Sequence, residues 1–170
     1  MSSSANDEEE YLESSWTLYF HDPNDKRWDL ASYHNVHTML TASEFWGVHE
    51  RLALDCAIGK GMWFIMRGDV FPCWDDAANI DGGCMSYILS KAEIADAWAA
   101  FCETMMCEEL VKDGEDSDVV NGVSVSPKND FCILKLWLTR EIRPDELSVP
   151  ISSQVGIYKS NRTKIANDRL

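Results

Sequence analysis

The heptapeptide VFPCWDD, residues 70–76, sets Trp74 directly before two acids, Asp75 and Asp76. In a strand, neighbouring side chains point to opposite faces, so a pure core role would waste the acid. In a loop the indole and a carboxylate can converge on one ligand. That ligand would be flat and electron-poor, because a π-face attracts positive charge. Two more tryptophans break the plain apolar pattern: Trp28 in KRWDL and Trp137 in FCILKLWL. Along the latter, a period of two puts Leu134, Leu136 and Leu138 on one side and Ile133, Lys135 and Trp137 on the other. A face that carries Lys and Trp together is not a clean core face. Core packing accounts for any one of these tryptophans. Three of them near acids and lysines point to a stacking site.

Other chemistries find less support. Asp75 and Asp76 could form an acid–base pair, but no nucleophile elbow or phosphate loop accompanies them, and IGKG at 58–61 lacks Walker spacing. His34 and His37 in HNVH are the only close histidine pair, and no second pair completes a tetrahedral set. No metal, cofactor or catalysis is therefore expected. The six cysteines (Cys56, Cys73, Cys84, Cys102, Cys107, Cys132) show no CxxC spacing and read as reduced, mostly buried thiols. Asn161-Arg162-Thr163 matches a glycosylation sequon, which means little in a cytosolic chain.

The elements that must position these residues can be sketched from periodicity. Residues 1–13 read as a disordered acidic tail, and 14–170 as one domain. SWTLYF (15–20) alternates like a strand and HDPNDKR (21–27) is a turn. Residues 41–54 read as a helix, with Thr41 and Glu44 forming a capping box. GMWFIM (61–66) and CMSYIL (84–89) are strand-like. Ser90, with Glu93 three residues on, caps a long helix running to Leu110. DGEDSD (113–118) is a loop, VVNGVSV (119–125) and FCILKLWL (131–138) form a hairpin, and VGIYK (155–159) is a last strand. Locally paired strands with two intervening helices imply an α+β fold on an antiparallel sheet.

In the long helix Ile94, Trp98, Phe101 and Met105 form a buried stripe, with Cys102 and Met106 beside it and Glu103 further round. In the first helix Phe45, Val48 and Leu52 share a face, and Trp46 is turned about 100° from Phe45. Trp46 either meets a partner or packs on a neighbouring loop.

Composition narrows the partners. Of 170 residues, 29 are acidic and 15 basic, for a formal charge of −14. Such a chain does not coat nucleic acid through phosphate neutralisation, yet a pocket reading one nucleotide is compatible with it. KSNRTK (159–164) is a basic patch near the C-terminus. The first residues lack a basic-then-apolar leader and no stretch approaches the roughly 20 apolar residues of a membrane span. A soluble intracellular protein without membrane contact is expected.

Taken in order, SWTLYF, KRW at Trp28, EFW at Trp46, PCWDD at Trp74, DGG at Gly82-Gly83, FCETMMC (101–107) and LKLW at Trp137 resemble the eukaryotic translation initiation factor 4E family, which binds the mRNA cap. The resemblance runs from Trp16 to the C-terminus. It implies a curved antiparallel sheet with helices on the convex face and a cap-binding concave face. It also implies roles. Trp28 and Trp74 match the pair that sandwiches 7-methylguanine, and Asp75 the acid that accepts from the guanine edge. Trp137 matches the residue at the methyl group, and Lys128 the basic position at the phosphates. Trp46, Cys102, Glu103 and Met106 match a dorsal surface that binds a helical peptide of a 4G-type scaffold or a 4E-binding repressor. Capped mRNA and such a peptide are the expected partners, and the cytoplasm, with the nucleus second, the expected location.

Departures from the pattern are specific. Asp75 stands where the family has Glu, and Tyr19 where Trp is common. IDGGCM lacks the usual basic residues, so that Lys135, Lys159, Arg162 or Lys164 must supply charge, and the segment before the last strand is shortened. Such changes resemble divergent protist paralogues of the kinetoplastid kind. Besides an initiation adaptor, a cap-binding repressor and an aromatic cage for another methylated cation remain open readings.

Overall fold

Alternation along the strands sorts the apolar side chains to two faces of one sheet. In the computed structural model, which describes residues 9–112, 117–151 and 154–168, seven strands are formed: β1 (Tyr11–His21), β2 (Tyr33–Thr41), β3 (Met62–Arg67), β4 (Gly83–Ser90), β5 (Val120–Pro127), β6 (Phe131–Leu138) and β7 (Ile157–Ser160). Their order is β2-β1-β3-β5-β6-β4-β7, and every pair is antiparallel. The chain adopts the curved α+β architecture expected of it.

One face carries the main core. Trp16, Leu18, Ile65, Val123, Leu134, Leu136 and Leu138 pack there against helices α1 (Ala42–Arg51), α2 (Leu54–Ala57) and α3 (Ile94–Met106). The opposite face carries a smaller cluster of Phe64, Met66, Cys84 and Trp137, flanked by Tyr19, Tyr33, Met62, Val70 and Trp74. The sorting of Leu134, Leu136 and Leu138 away from Trp137 is therefore as the period of two predicts. Gly82 and Gly83 sit where chains approach closely: a Cβ at Gly82 would lie 1.7 Å from the Leu138 carbonyl oxygen, and one at Gly83 2.3 Å from that of Lys159. Among the described residues no helix is long and apolar enough to cross a membrane.

Helix α1 starts as predicted, with the Thr41 hydroxyl accepting from the Glu44 N–H at 3.2 Å and the Glu44 carboxylate accepting from the Thr41 N–H. Ser90 and Glu93 make the predicted reciprocal bonds, but α3 begins at Ile94, after a turn. It ends at Met106 rather than Leu110. Glu108 takes a left-handed φ of 59°, its N–H and that of Glu109 close back on the Met105 and Thr104 carbonyls, and Arg67 grips its carboxylate with two bonds of 2.6 and 2.9 Å.

Three elements differ from the sequence expectation. Strand β1 begins at Tyr11, so residues 11–13 belong to the sheet rather than to a tail; residues 1–8 lie outside the described residues, as does most of DGEDSD. Strand β2 escapes notice because it is a sheet edge exposed on both faces along HNVH, with no alternation to read. The basic patch after β7 folds into a helix, α4 (Asn161–Asp168).

Candidate functional site

The open face of the sheet holds a cavity of about 510 Å³ whose lining includes Trp28, Tyr33, Trp74, Asp75, Lys135 and Trp137. These residues arrive from five places: the turn after β1, the start of β2, the loop between β3 and β4, strand β6 and, completing the wall with Ile165 and Asp168, helix α4. Lys128 is not among them. It is exposed in a neighbouring cleft with Phe20, Asp22 and Lys60, because it belongs to the turn at the end of the β5–β6 hairpin. Lys135 therefore lines the tryptophan cavity, and Lys128 stands outside it.

Each aromatic wall has its own support. Trp137 is 3% exposed and its indole N–H donates to Ser124 Oγ at 2.9 Å, which fixes the ring on the cavity floor. Trp28 is 54% exposed, yet one face of its ring is covered: the His21 imidazole stacks on it at 4.0 Å, 5° from parallel. The His21 Nε2 bonds to the Arg27 carbonyl at 2.8 Å and ties the turn to β1. Tyr33 meets both His21 and Trp28 edge-on.

Trp74 rides on an irregular loop, and three buried asparagines hold that loop. The Asn79 amide donates to the carbonyls of Phe71 (3.0 Å) and Cys73 (2.9 Å). Its own side-chain oxygen accepts from Asn121 at 2.9 Å, and its carbonyl from the Asn161 amide at 2.8 Å. The three are 1%, 4% and 0% exposed. Loop, β5 and α4 are thereby locked to one another. The buried sequon residue Asn161 is a structural amide.

Electrostatics of the cavity divide by wall. Burial and then a hydrogen bond to the Asp75 carboxylate push the Cys73 thiol up to about 11. Asp75 itself is exposed at the rim, where a short acid still faces the cavity. On the other wall burial, followed by the charge of Lys164 and then those of Lys128 and Lys159, holds the Lys135 ammonium below the usual lysine range. The Lys164 ammonium sits 4.8 Å from the centre of the Trp74 ring. Aromatic faces, two exposed acids (Asp75 and Asp168) and Lys135 with Lys164 close by suit a flat cation that bears an anionic tail.

The family model described as eukaryotic initiation factor 4E matches residues 11–161. The chain belongs to that family. Initiation factor 4E of Aplysia californica is 29% identical over 148 residues, which is 82% of this chain and 66% of that protein. The family member from Saccharomyces cerevisiae is 29% identical over 137 residues, 76% of this chain and 62% of its own length. The chain thus spans somewhat under two thirds of these relatives. Among solved structures, the fold is similar to eIF4E-3 of C. elegans in complex with the 4E-binding protein Mextli and a cap analog, with a TM-score of 0.78 at 18% identity over 93% of this chain and 96% of that one. It is also similar to Ascaris suum eIF4E-3 with an m2,2,7G cap, with a TM-score of 0.68 at 17% identity over 81% and 77%.

The residues matched to the family's dorsal surface divide in two. Trp46 is 46% exposed and Glu103 is exposed. Cys102 and Met106 are 0% and 4% exposed, inside the main core. The expectation that these two lie on an exposed peptide-binding surface is corrected: α3 buries both in the main core, and the thiol that reaches solvent there is Cys107. Cys56 is also exposed, so the cysteines are unpaired but not uniformly buried. Sequence reading missed His21, Tyr33 and the asparagine trio. A buried asparagine leaves no periodic mark, and His21 continued a strand that had been ended one residue early.

Proposed function

We propose that this chain binds the 7-methylguanosine cap of mRNA, with the base between Trp28 and Trp74, its edge on Asp75, its methyl group towards Trp137 and its phosphates towards Lys135. The observation that carries this reading is the single cavity lined by all five residues, which are spread from position 28 to 137. Methylation at N7 makes the purine cationic, so two indole faces attract it beyond ordinary stacking. Each base–aromatic stack is worth about 1–3 kcal/mol. Unmethylated guanine forfeits the cationic part, and adenine offers Asp75 the wrong donors. Selectivity is a difference of affinities made mainly of charge.

An initiation adaptor needs a second surface, and Trp46 on the helix-covered side supports one. An amphipathic peptide from a 4G-type scaffold, or from a repressor, would lie there by helix-in-groove recognition. The aromatic-cage reading for a methylated lysine is less well supported, because Lys135 at the cavity would repel a cationic side chain that brings no phosphate.

The deciding experiment titrates the full chain with 7-methyl-GTP and GTP while following tryptophan fluorescence. Strong quenching by the methylated nucleotide alone, lost in Trp74→Ala, supports the proposal. Equal affinity for the two nucleotides overturns it.

A further inference from the structure

The Trp74 ring already bears a cation of the protein's own. Lys164 Nζ stands 4.8 Å from the ring centroid, the relation that a methylated base would seek. Helix α4 holds it there by its first turn. The Asn161 N–H donates to the Gly82 carbonyl at 3.0 Å and its side-chain amide to Asn79, while Arg162 Nε donates to Asp81 at 2.8 Å. Beyond that turn Ile165 and Asp168 reach the cavity, and Thr163, Ala166 and Asn167 are exposed.

Lys164 also acts on Lys135. It is the foremost charge among those that lower the Lys135 proton affinity. Among the described residues neither ammonium has a carboxylate within ion-pair distance. Lys135 thus lines the cavity and Lys164 stands over the Trp74 ring, each without a carboxylate partner. One of them draws on the same π-system that a cationic base would use.

We propose that Lys164 is a specificity residue that makes the cavity select phosphorylated caps over bare methylated nucleosides. The proposal rests on the cap-binding reading. A cationic base and the Lys164 ammonium compete for the electron-rich ring of Trp74, whichever face each takes. A nucleoside gains one cation–π contact at the expense of another and leaves the ammonium to water. A nucleotide brings anionic oxygens to which Lys164, once off the ring, can donate together with Lys135. The tail thereby compensates for the exchange at the ring.

The test compares wild type, Lys164→Met and Lys164→Arg by calorimetric titration with 7-methylguanosine, 7-methyl-GTP and GTP. Lys164→Met keeps the aliphatic stem and removes the charge. It is expected to bind 7-methylguanosine roughly two- to five-fold tighter, the worth of an exposed cation–π contact. Its gain from adding the triphosphate should fall about ten-fold, as for a lost bond to a charged group. Lys164→Arg should keep the wild-type ratio of the two affinities. If Lys164→Met binds the nucleoside no better, or keeps the wild-type ratio, the proposal is overturned while preference for 7-methyl-GTP over GTP leaves the cap reading standing. If wild type itself does not distinguish 7-methyl-GTP from GTP, the cap reading fails and carries this proposal with it.

Discussion

The imidazole of His21 lies 4.0 Å behind the indole of Trp28, with the two planes 5° apart. His21 is fully buried, donates from Nε2 to the Arg27 carbonyl, and leaves Nδ1 without a partner. A rim tryptophan on a turn needs such a backing to keep its outer face in one plane. His21→Ala is expected to weaken 7-methyl-GTP binding by about 0.5–1.5 kcal/mol, the worth of an aromatic pair beyond its buried area. His21→Phe should restore most of that loss. In a Trp28→Ala background the His21→Ala effect should vanish, and calorimetry on this double-mutant cycle checks it.

The position of the two lysines ranks their substitutions. Lys135 lines the tryptophan cavity, and Lys128 lines the adjoining cleft. Lys135→Met should therefore remove more of the affinity gained between 7-methyl-GMP and 7-methyl-GTP than Lys128→Ala does. Lys128 acts at longer range, so its share should disappear first as salt is raised past a Debye length of about 8 Å. Titrations at low and physiological salt measure both.

Asn79 concentrates four hydrogen bonds at the base of the Trp74 loop. Asn79→Ala leaves the Phe71 and Cys73 carbonyls and the Asn121 amide short of a partner. Each such buried group costs about 1–3 kcal/mol. Urea denaturation should show a loss of about 2 kcal/mol or more. Cap affinity should fall as well, since Trp74 loses its fixed loop; unchanged affinity in a folded variant would mean that the loop is held by other means.

His49 joins α1 to α3: Trp98 Nε1 donates to its Nε2 at 3.0 Å, and its Nδ1 bonds to the Phe45 carbonyl at 3.0 Å. The ring must stay neutral to accept from Trp98, and burial lowers its proton affinity below the usual 6.5. Between that lowered value and 6.5 the unfolded chain binds the proton more readily than the folded one. The stability is therefore fully present above about 6.5 and declines as pH falls below it. Melting curves from pH 7.5 to 5.5 should show a larger drop for wild type than for His49→Gln, which keeps an acceptor but does not titrate.

Exposure separates the residues matched to the partner surface. Trp46→Ala should change stability by no more than about 0.5 kcal/mol, as at ordinary surface positions. It should cost roughly 2 kcal/mol of affinity for a helical peptide of the Tyr-x4-Leu-apolar kind. Met106→Glu places a charge in the core and should unfold the chain instead. Retention on cap resin with and without that peptide, together with a melting curve, tests both variants.

Local chemistry was legible in the residues themselves. The Thr41–Glu44 capping box, the opposed faces of FCILKLWL and the α3 stripe depend on periods of two and 3.6 and on near neighbours, and the chain adopts each of them. The order of tryptophans named the family because that pattern is linear. What decides the site is long-range. Trp28, Trp74 and Trp137 share one cavity only because the strand order sets β1, β3, β5 and β6 side by side. The edge strand β2 hid because neither of its faces must be apolar. Cys102 and Met106, beside the stripe and matched to the dorsal surface, sit in the core, since a sheet wider than one helix buries more than a narrow stripe. Helix α4, at the end of a polar tract, takes its place from a buried asparagine and a pairing strand 77 residues upstream in Cys84 and its neighbours. A stacking site could be inferred from residue types; the imidazole behind one ring and the ammonium beside the other are products of the tertiary structure alone.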